Sequence, residues 1–287
     1  MKTLLLALFV ITFSGVSSVM PQTPPIAKKI PKITKIHGDT LVDDYFWLRE
    51  KSNPEVINYL KAENDYTESV MKPTTALQET LYTEMLARIK ETDLSVPYPK
   101  DGYLYYTRTE QGKQYPIHCR KKGTLRGKEE ILLDLNKMAE GKPFLSLGAF
   151  QVSNDGHLLA YSTDDTGFRQ YKLHVKDLRT GNITVDLAER VTSVTWANDN
   201  KTLFYVTEDA MTKRSNQFFR LALGGKSQLL YEEKDELYRI GAGRTRSRGY
   251  IFLYIASSTT TEVRYLSADK PNSELKVMLP RENEHEY

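Results

Sequence analysis

Four stretches decide the fold. Lys100-Asp101-Gly102 runs into YLYYT (103–107), Ser153-Asn154-Asp155-Gly156 into HLLAYST (157–163), Asn198-Asp199-Asn200 into KTLFYVT (201–207), and Arg246-Ser247-Arg248-Gly249 into YIFLYIAS (250–257). Each pairs a polar turn with a run of β-branched and aromatic residues, the composition of a strand packed on a pleated surface. With Gly102, Gly156, Asn200 and Gly249 as markers, the intervals are 54, 44 and 49 residues. The third unit predicts four strands, at Val191 to Trp196, Thr202 to Thr207, Gln217 to Leu223 and Ser227 to Tyr231, separated by short turns.

A repeat of this length that yields four short strands is the signature of a propeller blade. Four such units are counted, ending at Leu279. Each would carry apolar residues on both faces and so be stable only when stacked on neighbours. Four units with no sequence left to close a ring predict a partial propeller, the alternative being a closed four-bladed ring.

Working towards the N-terminus, the pattern changes before Val96. Leu77, Leu81, Met85 and Ile89 recur every four residues and predict a helix from about Thr75 to Lys90 that buries a stripe against something larger. Asn53 before Pro54 predicts the N-cap of an earlier helix. Pro21 to Pro31, rich in Pro, Lys and Thr, lacks periodicity and predicts an extended leader. Leu4 to Phe13 is an apolar run after Lys2, with Val16 and Ser18 fitting the small-residue rule for cleavage after Ser18. The run is shorter than the ~20 residues a bilayer-spanning helix needs. Export to the periplasm or medium is expected, with an uncleaved anchor as the alternative and no membrane contact once the signal is removed. The expected organisation is a signal peptide over 1–18, a leader over 19–36, a helical segment over 37–92 and the partial propeller over 93–287.

Composition bounds the function classes. Forty Lys and Arg against 37 Asp and Glu leave +3, too little for nucleic-acid binding by charge alone, and no nucleic-acid partner is expected. One cysteine, Cys119, excludes an intrachain disulfide. His37, His118, His157, His174 and His285 have no spacing suited to zinc. His118 and Cys119 are strand neighbours that face opposite sides, poor geometry for a nucleophile pair, so Cys119 is read as a buried structural residue. Gly224-Gly225-Lys226-Ser227 reads as a hairpin turn because Arg220 stands where a phosphate loop needs glycine. Gly241-Ala242-Gly243 lacks a third glycine and a following helix. Arg239, Arg244, Arg246 and Arg248, near Tyr238 and Tyr250, could touch a carboxylate or nucleic acid but read as a solvated blade edge. Asp43, Asp44, Asp164 and Asp165 read as turn caps. Asn182 and Asn200 head glycosylation sequons that count only in a glycosylating host. No catalytic, cofactor-binding or metal-binding residue is assigned, and no cofactor is expected.

HGDTLVDDYFWLRE (37–50), followed by NPEVINYLKAENDYTESVM (53–71) and VPYPKDGYLYYTR (96–108), resembles the start of the prolyl oligopeptidase family of serine peptidases. The run from Gln170 to Gly181, WANDN (196–200), YEEKDELY (231–238), SSTTTEVRYL (257–266) and LPRENEHEY (279–287) are similar to its oligopeptidase B branch. The resemblance covers about Pro31 to Tyr287. It implies a seven-bladed propeller, of which this chain holds about four blades. It also implies an α/β-hydrolase domain, in the same or an adjacent polypeptide, whose Ser, Asp and His cleave short peptides after Arg or Lys while the propeller restricts access. No G-x-S-x-G nucleophile elbow occurs in this sequence, so no triad residue is carried over and the chain alone is expected to be inactive. The alternative is a non-catalytic propeller acting as a binding or interaction module.

Overall fold

The computed structural model describes residues 23–287, so the expected signal peptide over 1–18 and residues 19–22 of the expected leader lie outside the described residues. The chain divides after Ile89 into two compact units. In the first, β1 (Lys32–Ile36) pairs antiparallel with β2 (Asp39–Asp43). His37 (φ 52°) and Gly38 (φ 86°) make the two-residue turn between them, both in the left-handed region that favours tight hairpins. The expected extended leader over 19–36 thus ends in a strand, extended backbone that the hairpin ties to the residues after it. Ile33, Thr34 and Ile36 suit a strand, and the His-Gly pair supplies the turn that closes it. The preceding segment is tied to the same unit by Ile30 N donating to Asp44 O (2.8 Å) and by the Trp47 indole donating to Lys28 O (2.9 Å).

Helix α1 (Pro54–Met71) starts as its cap predicts, with Asn53 Oδ1 accepting from Glu55 N at 2.9 Å. Helix α2 (Thr75–Ala87) stops three residues short of the expected end. Its stripe is not buried: Leu77 is 57% exposed, Leu81 46%, Met85 59% and Ile89 62%.

The second unit holds four antiparallel four-stranded sheets, each a meander of strands consecutive in sequence. The first comprises β3 (Tyr98–Lys100), β4 (Tyr103–Arg108), β5 (Ile117–Lys122) and β6 (Glu129–Asp134), and is followed by the short helix α3 (Leu135–Met138). The second comprises β7 (Ser146–Val152), β8 (Leu158–Asp164), β9 (Lys172–Asp177) and β10 (Ile183–Ala188). The third comprises β11 (Val191–Trp196), β12 (Thr202–Glu208), β13 (Ser215–Ala222) and β14 (Gln228–Glu232). The fourth comprises β15 (Arg239–Arg244), β16 (Tyr250–Ala256), β17 (Thr261–Ser267) and β18 (Lys276–Leu279).

Strand alternation explains how the sheets stack. Along β12, Leu203 and Tyr205 join Ala160, Leu173 and Val175 of the second sheet in one core. Phe204 and Val206 point the other way and join Ile251, Leu253 and Ile255 of the fourth. Leu159 and Tyr161 of β8 close a third core against Tyr105, Leu132 and Leu133 of the first sheet. Period-two alternation thus gives each inner sheet two apolar faces and each face a neighbour. Side chains as large as Phe204 and Phe218 are wholly buried there, each contributing about 1.5–3 kcal/mol of transfer free energy. Polar links cross the same interfaces: Lys176 Nζ donates to Leu132 O (2.8 Å) and Arg220 Nη1 to Pro271 O (2.7 Å).

Candidate functional site

The turns that open each repeat converge. Asp101 (φ 49°) and Gly102 (φ 77°) join β3 to β4, and Gly156 (φ 73°), Asn200 (φ 55°) and Arg248 (φ 63°) hold the left-handed position in the other three turns. In the fourth repeat this residue is Arg248, not the marker Gly249. An arginine in this region is strained by about 1–2 kcal/mol relative to glycine, so its side chain is placed at a conformational cost.

Side chains of these turns bond to one another across the sheets. Asn154 Nδ2 donates to Asn198 Oδ1 (3.1 Å), Asp155 N to Asn200 Oδ1 (3.2 Å) and Arg120 Nη1 to Gly156 O (2.8 Å). Asn198 Nδ2 donates to Arg248 O (2.9 Å) and to Asp269 Oδ1 (2.7 Å). Arg244, the last residue of β15, donates from Nη1 to Asn154 Oδ1 (2.8 Å) and Asn198 Oδ1 (3.0 Å). Arg248 Nη1 reaches Asp101 Oδ1 at 2.6 Å, linking the first and fourth sheets.

Below these turns, the first strands β7, β11 and β15 line a cavity of ≈ 680 Å³ whose wall includes Gln151, Thr192, Ser193, Thr195, Arg244 and Arg246. Its charge is one-sided. Burial, then the neighbouring Arg248, pulls Arg244 below its ordinary value, with Asp101 opposing. Burial likewise lowers Lys100, which Asp101 raises and Arg244 and Arg248 lower further. The arginine cluster is therefore not a solvated blade edge throughout. Arg239 and Arg246 are exposed, but Arg244, at the end of β15 where the turns meet, and Arg248, in the turn that follows, are half-buried and bonded to the neighbouring turns.

A second network joins three segments that carry the family resemblance. Arg281 Nη2 lies 2.5 Å from Glu233 Oε2, its Nε lies 3.4 Å from Glu262 Oε2, and its guanidinium stacks on Tyr238 at 3.6 Å. Glu233 and Glu262 are buried, and Tyr231 donates its hydroxyl to Glu233 at 2.8 Å. Glu233 is held below the usual carboxylate range, the bonds from Arg281, Asp235 N and Tyr231 outweighing its desolvation. Arg281 was not singled out in sequence, because a basic residue in a polar tail carries no periodic or motif signal.

The remaining candidates are dispersed. Cys119 is buried, with its thiol pushed up to about 11 chiefly by burial and then by Glu129. The neighbouring His118 ring instead stacks on Phe150 at 4.9 Å. His174 is buried, its Nε2 3.0 Å from Thr163 Oγ1, and burial lowers its pKa. His157 Nδ1 lies 3.3 Å from Asp155 Oδ2, whereas His37 and His285 sit in turns far from these in sequence. Asp164 caps its own loop, accepting from Thr166 N (2.9 Å) and Arg169 N (2.8 Å), and Asp165 pairs with Lys142 at 3.0 Å. Asp43 accepts from Tyr45 N at 2.9 Å and Asp44 lies 3.4 Å from Lys29. Gly224 to Ser227 form the β13–β14 turn, Gly241 to Gly243 lie within β15, and Asn182 and Asn200 occupy turns. Among the described residues no group of three or more His, Cys, Asp or Glu could hold a metal ion, and no helix is long and apolar enough to cross a membrane.

Four-stranded meanders packed face to face, with the first strand of successive sheets lining a common channel, define a β-propeller. Residues 24–287 match the family model described as "Prolyl oligopeptidase, N-terminal beta-propeller domain". The chain belongs to the prolyl oligopeptidase family. It is 37% identical over 310 residues to dipeptidyl aminopeptidase BI of Pseudoxanthomonas mexicana, covering 99% of this chain and 43% of that protein. It is 35% identical over 265 residues to Protease 2 of Moraxella lacunata, covering 88% and 38% respectively. Among solved structures, oligopeptidase B from Leishmania major superposes with a TM-score of 0.83 at 29% identity, over 92% of this chain and 40% of that one. Oligopeptidase B from Trypanosoma brucei, in a closed form with covalently bound antipain, gives 0.81 at 33% identity, over 91% and 40%. The chain thus spans about two fifths of the length of these relatives.

Proposed function

We propose that this chain is the propeller-bearing portion of an oligopeptidase B-like serine peptidase that cleaves short peptides after Arg or Lys, and that the propeller restricts which substrates reach the site of hydrolysis. The observation that carries the reading is the superposition on oligopeptidase B from Leishmania major over 92% of this chain, at a TM-score of 0.83. Acyl transfer itself needs a nucleophile presented to a base and an oxyanion hole, and this sequence contains no G-x-S-x-G elbow. The partner is a hydrolase domain of the same or an adjacent polypeptide, and the substrates are short basic peptides. The apolar run at Leu4 to Phe13 supports export, with cleavage after Ser18, to the periplasm or the medium. Nucleic acid and membrane are not partners of the exported chain.

Purified 287-residue chain, assayed with chromogenic peptides ending in Arg or Lys, is expected to show no turnover. Reading the coding sequence next to it is expected to reveal a G-x-S-x-G hydrolase. Turnover that persists after contaminating peptidases are removed overturns the inactivity. An adjacent sequence without the elbow favours a non-catalytic binding module.

A further inference from the structure

We infer that the inner mouth of the propeller channel is an oxyanion-binding site centred on Arg244, taking a carboxylate or a phosphate. This inference does not depend on the peptidase reading. Arg244 is half-buried, and its only hydrogen-bond partners among the described residues are two neutral amide oxygens, Asn154 Oδ1 and Asn198 Oδ1, both met by Nη1. Asn154 and Asn198 in turn bond to each other, and Asn198 is held by Arg248 O and Asp269, so the guanidinium is fixed at one corner by a braced pair. Among the described residues no carboxylate lies within 4.0 Å of it, and Nε and Nη2 make no hydrogen bond. A guanidinium presents its donors as a planar fork that matches a carboxylate or phosphate in two parallel bonds, and here one edge of that fork is left over.

The surroundings carry the same sign. Lys100 and Arg248 act on Arg244 or on each other as like charges, Arg246 lines the same cavity, and Asp101 is the carboxylate that opposes them, already bonded to Arg248. Concentrating four cations around Asp101 and Asp269, of which Asp101 is bonded to Arg248 and Asp269 to Asn198, with two of the cations desolvated, is unfavourable unless a further anion completes the set. The cavity volume of ≈ 680 Å³ admits more than a bare ion, so the oxyanion is either free phosphate or the terminal carboxylate of a short peptide.

The test titrates the 287-residue chain at constant ionic strength with inorganic phosphate, with a neutral-side-chain tripeptide bearing a free C-terminus, and with the same tripeptide amidated. Binding is read by calorimetry. Saturable binding of phosphate alone identifies phosphate as the source, and binding of the free tripeptide but not its amide identifies the carboxylate. In either case Arg244→Met is expected to weaken affinity at least about tenfold, the loss of a charge-assisted bond. Arg246→Ala, at an exposed position whose loss does not threaten folding, is expected to weaken it several-fold, and the exposed Arg239→Ala not at all. Absence of saturable binding by phosphate and by both tripeptides overturns the inference. So does binding that Arg246→Ala, and a folded Arg244→Met, leave unchanged, or binding of the amide as tightly as the acid when phosphate does not bind.

Discussion

The indole Nε1 of Trp196 donates to the carbonyl of Gln151 at 2.8 Å, so the innermost strand of the third sheet is bonded to the innermost strand of the second through a wholly buried side chain. Tryptophan is suited to this position because its ring fills a core while its N–H meets a backbone acceptor of the neighbouring sheet. Trp196→Phe is expected to keep most of the packing and remove this one bond between sheets, costing about 0.5–1.5 kcal/mol. A urea midpoint unchanged from the parent chain would show that this bond does not hold the two sheets together.

Arg214 makes a similar link on the other side of the third sheet. It is 8% exposed, and its guanidinium donates to three backbone carbonyls, those of Asp235 (3.1 Å), Tyr238 (2.8 Å) and Glu233 (3.1 Å). Arg214→Met leaves all three unmet and is expected to destabilise by about 3 kcal/mol or more. Arg214→Lys is expected to recover only part, because a single ammonium cannot span the fork. Denaturant titration of both variants checks the order.

Cys119 is expected to be unreactive in the folded chain. Its thiol is buried and raised to about 11, so at pH 8 the thiolate is scarce in the native state and more abundant on unfolding, where the ordinary value is 9.0. The sign follows from burial favouring the neutral thiol: its stabilising contribution is complete below pH 9 and declines as pH rises towards 11. Labelling with a thiol reagent at pH 8, with and without denaturant, checks it; fast native labelling would contradict the burial.

The stripe on α2 should matter to association more than to folding. Leu81 is 46% exposed, with Leu77 and Met85 on the same face, so Leu81→Ala is expected to cost less than about 1 kcal/mol, well short of the 2–5 kcal/mol of a core leucine. Leu81→Asp is expected to reduce self-association in sedimentation experiments, since an exposed apolar row is a surface for contact. Global unfolding of Leu81→Ala would place the stripe in this chain's own core.

The repeats were legible from residues alone because blade strands are short, alternate with period two and are punctuated by turn residues whose backbone demands are local. All four strands expected in the third repeat are found, each within two residues at its ends. Asn53 announced α1 for the same reason, its cap being a bond within three residues. The hairpin Lys32–Asp43 was missed because proline and lysine dominate the surrounding composition, although its His37-Gly38 turn was in view. The arginine cluster was misread for a different reason. Arg239, Arg244, Arg246 and Arg248 look equivalent in a polar stretch, and only the convergence of turns from other sheets, which brings Asn154 and Asn198 to Arg244 and Asp101 to Arg248, separates these two from the rest.

Sequence alone therefore determined what local chemistry controls: the four-strand repeat, the turns that begin each one, the two helices and the absence of a nucleophile elbow. Tertiary structure alone decided which residues meet. Arg248 bonds to Asp101 across 147 residues, Arg244 to Asn154 across 90, and Arg281 to Glu233 across 48. No period or spacing encodes such pairs, because they depend on how twisted sheets stack around a common channel, and stacking is set by the summed burial of the faces that successive sheets share rather than by any one stretch of chain.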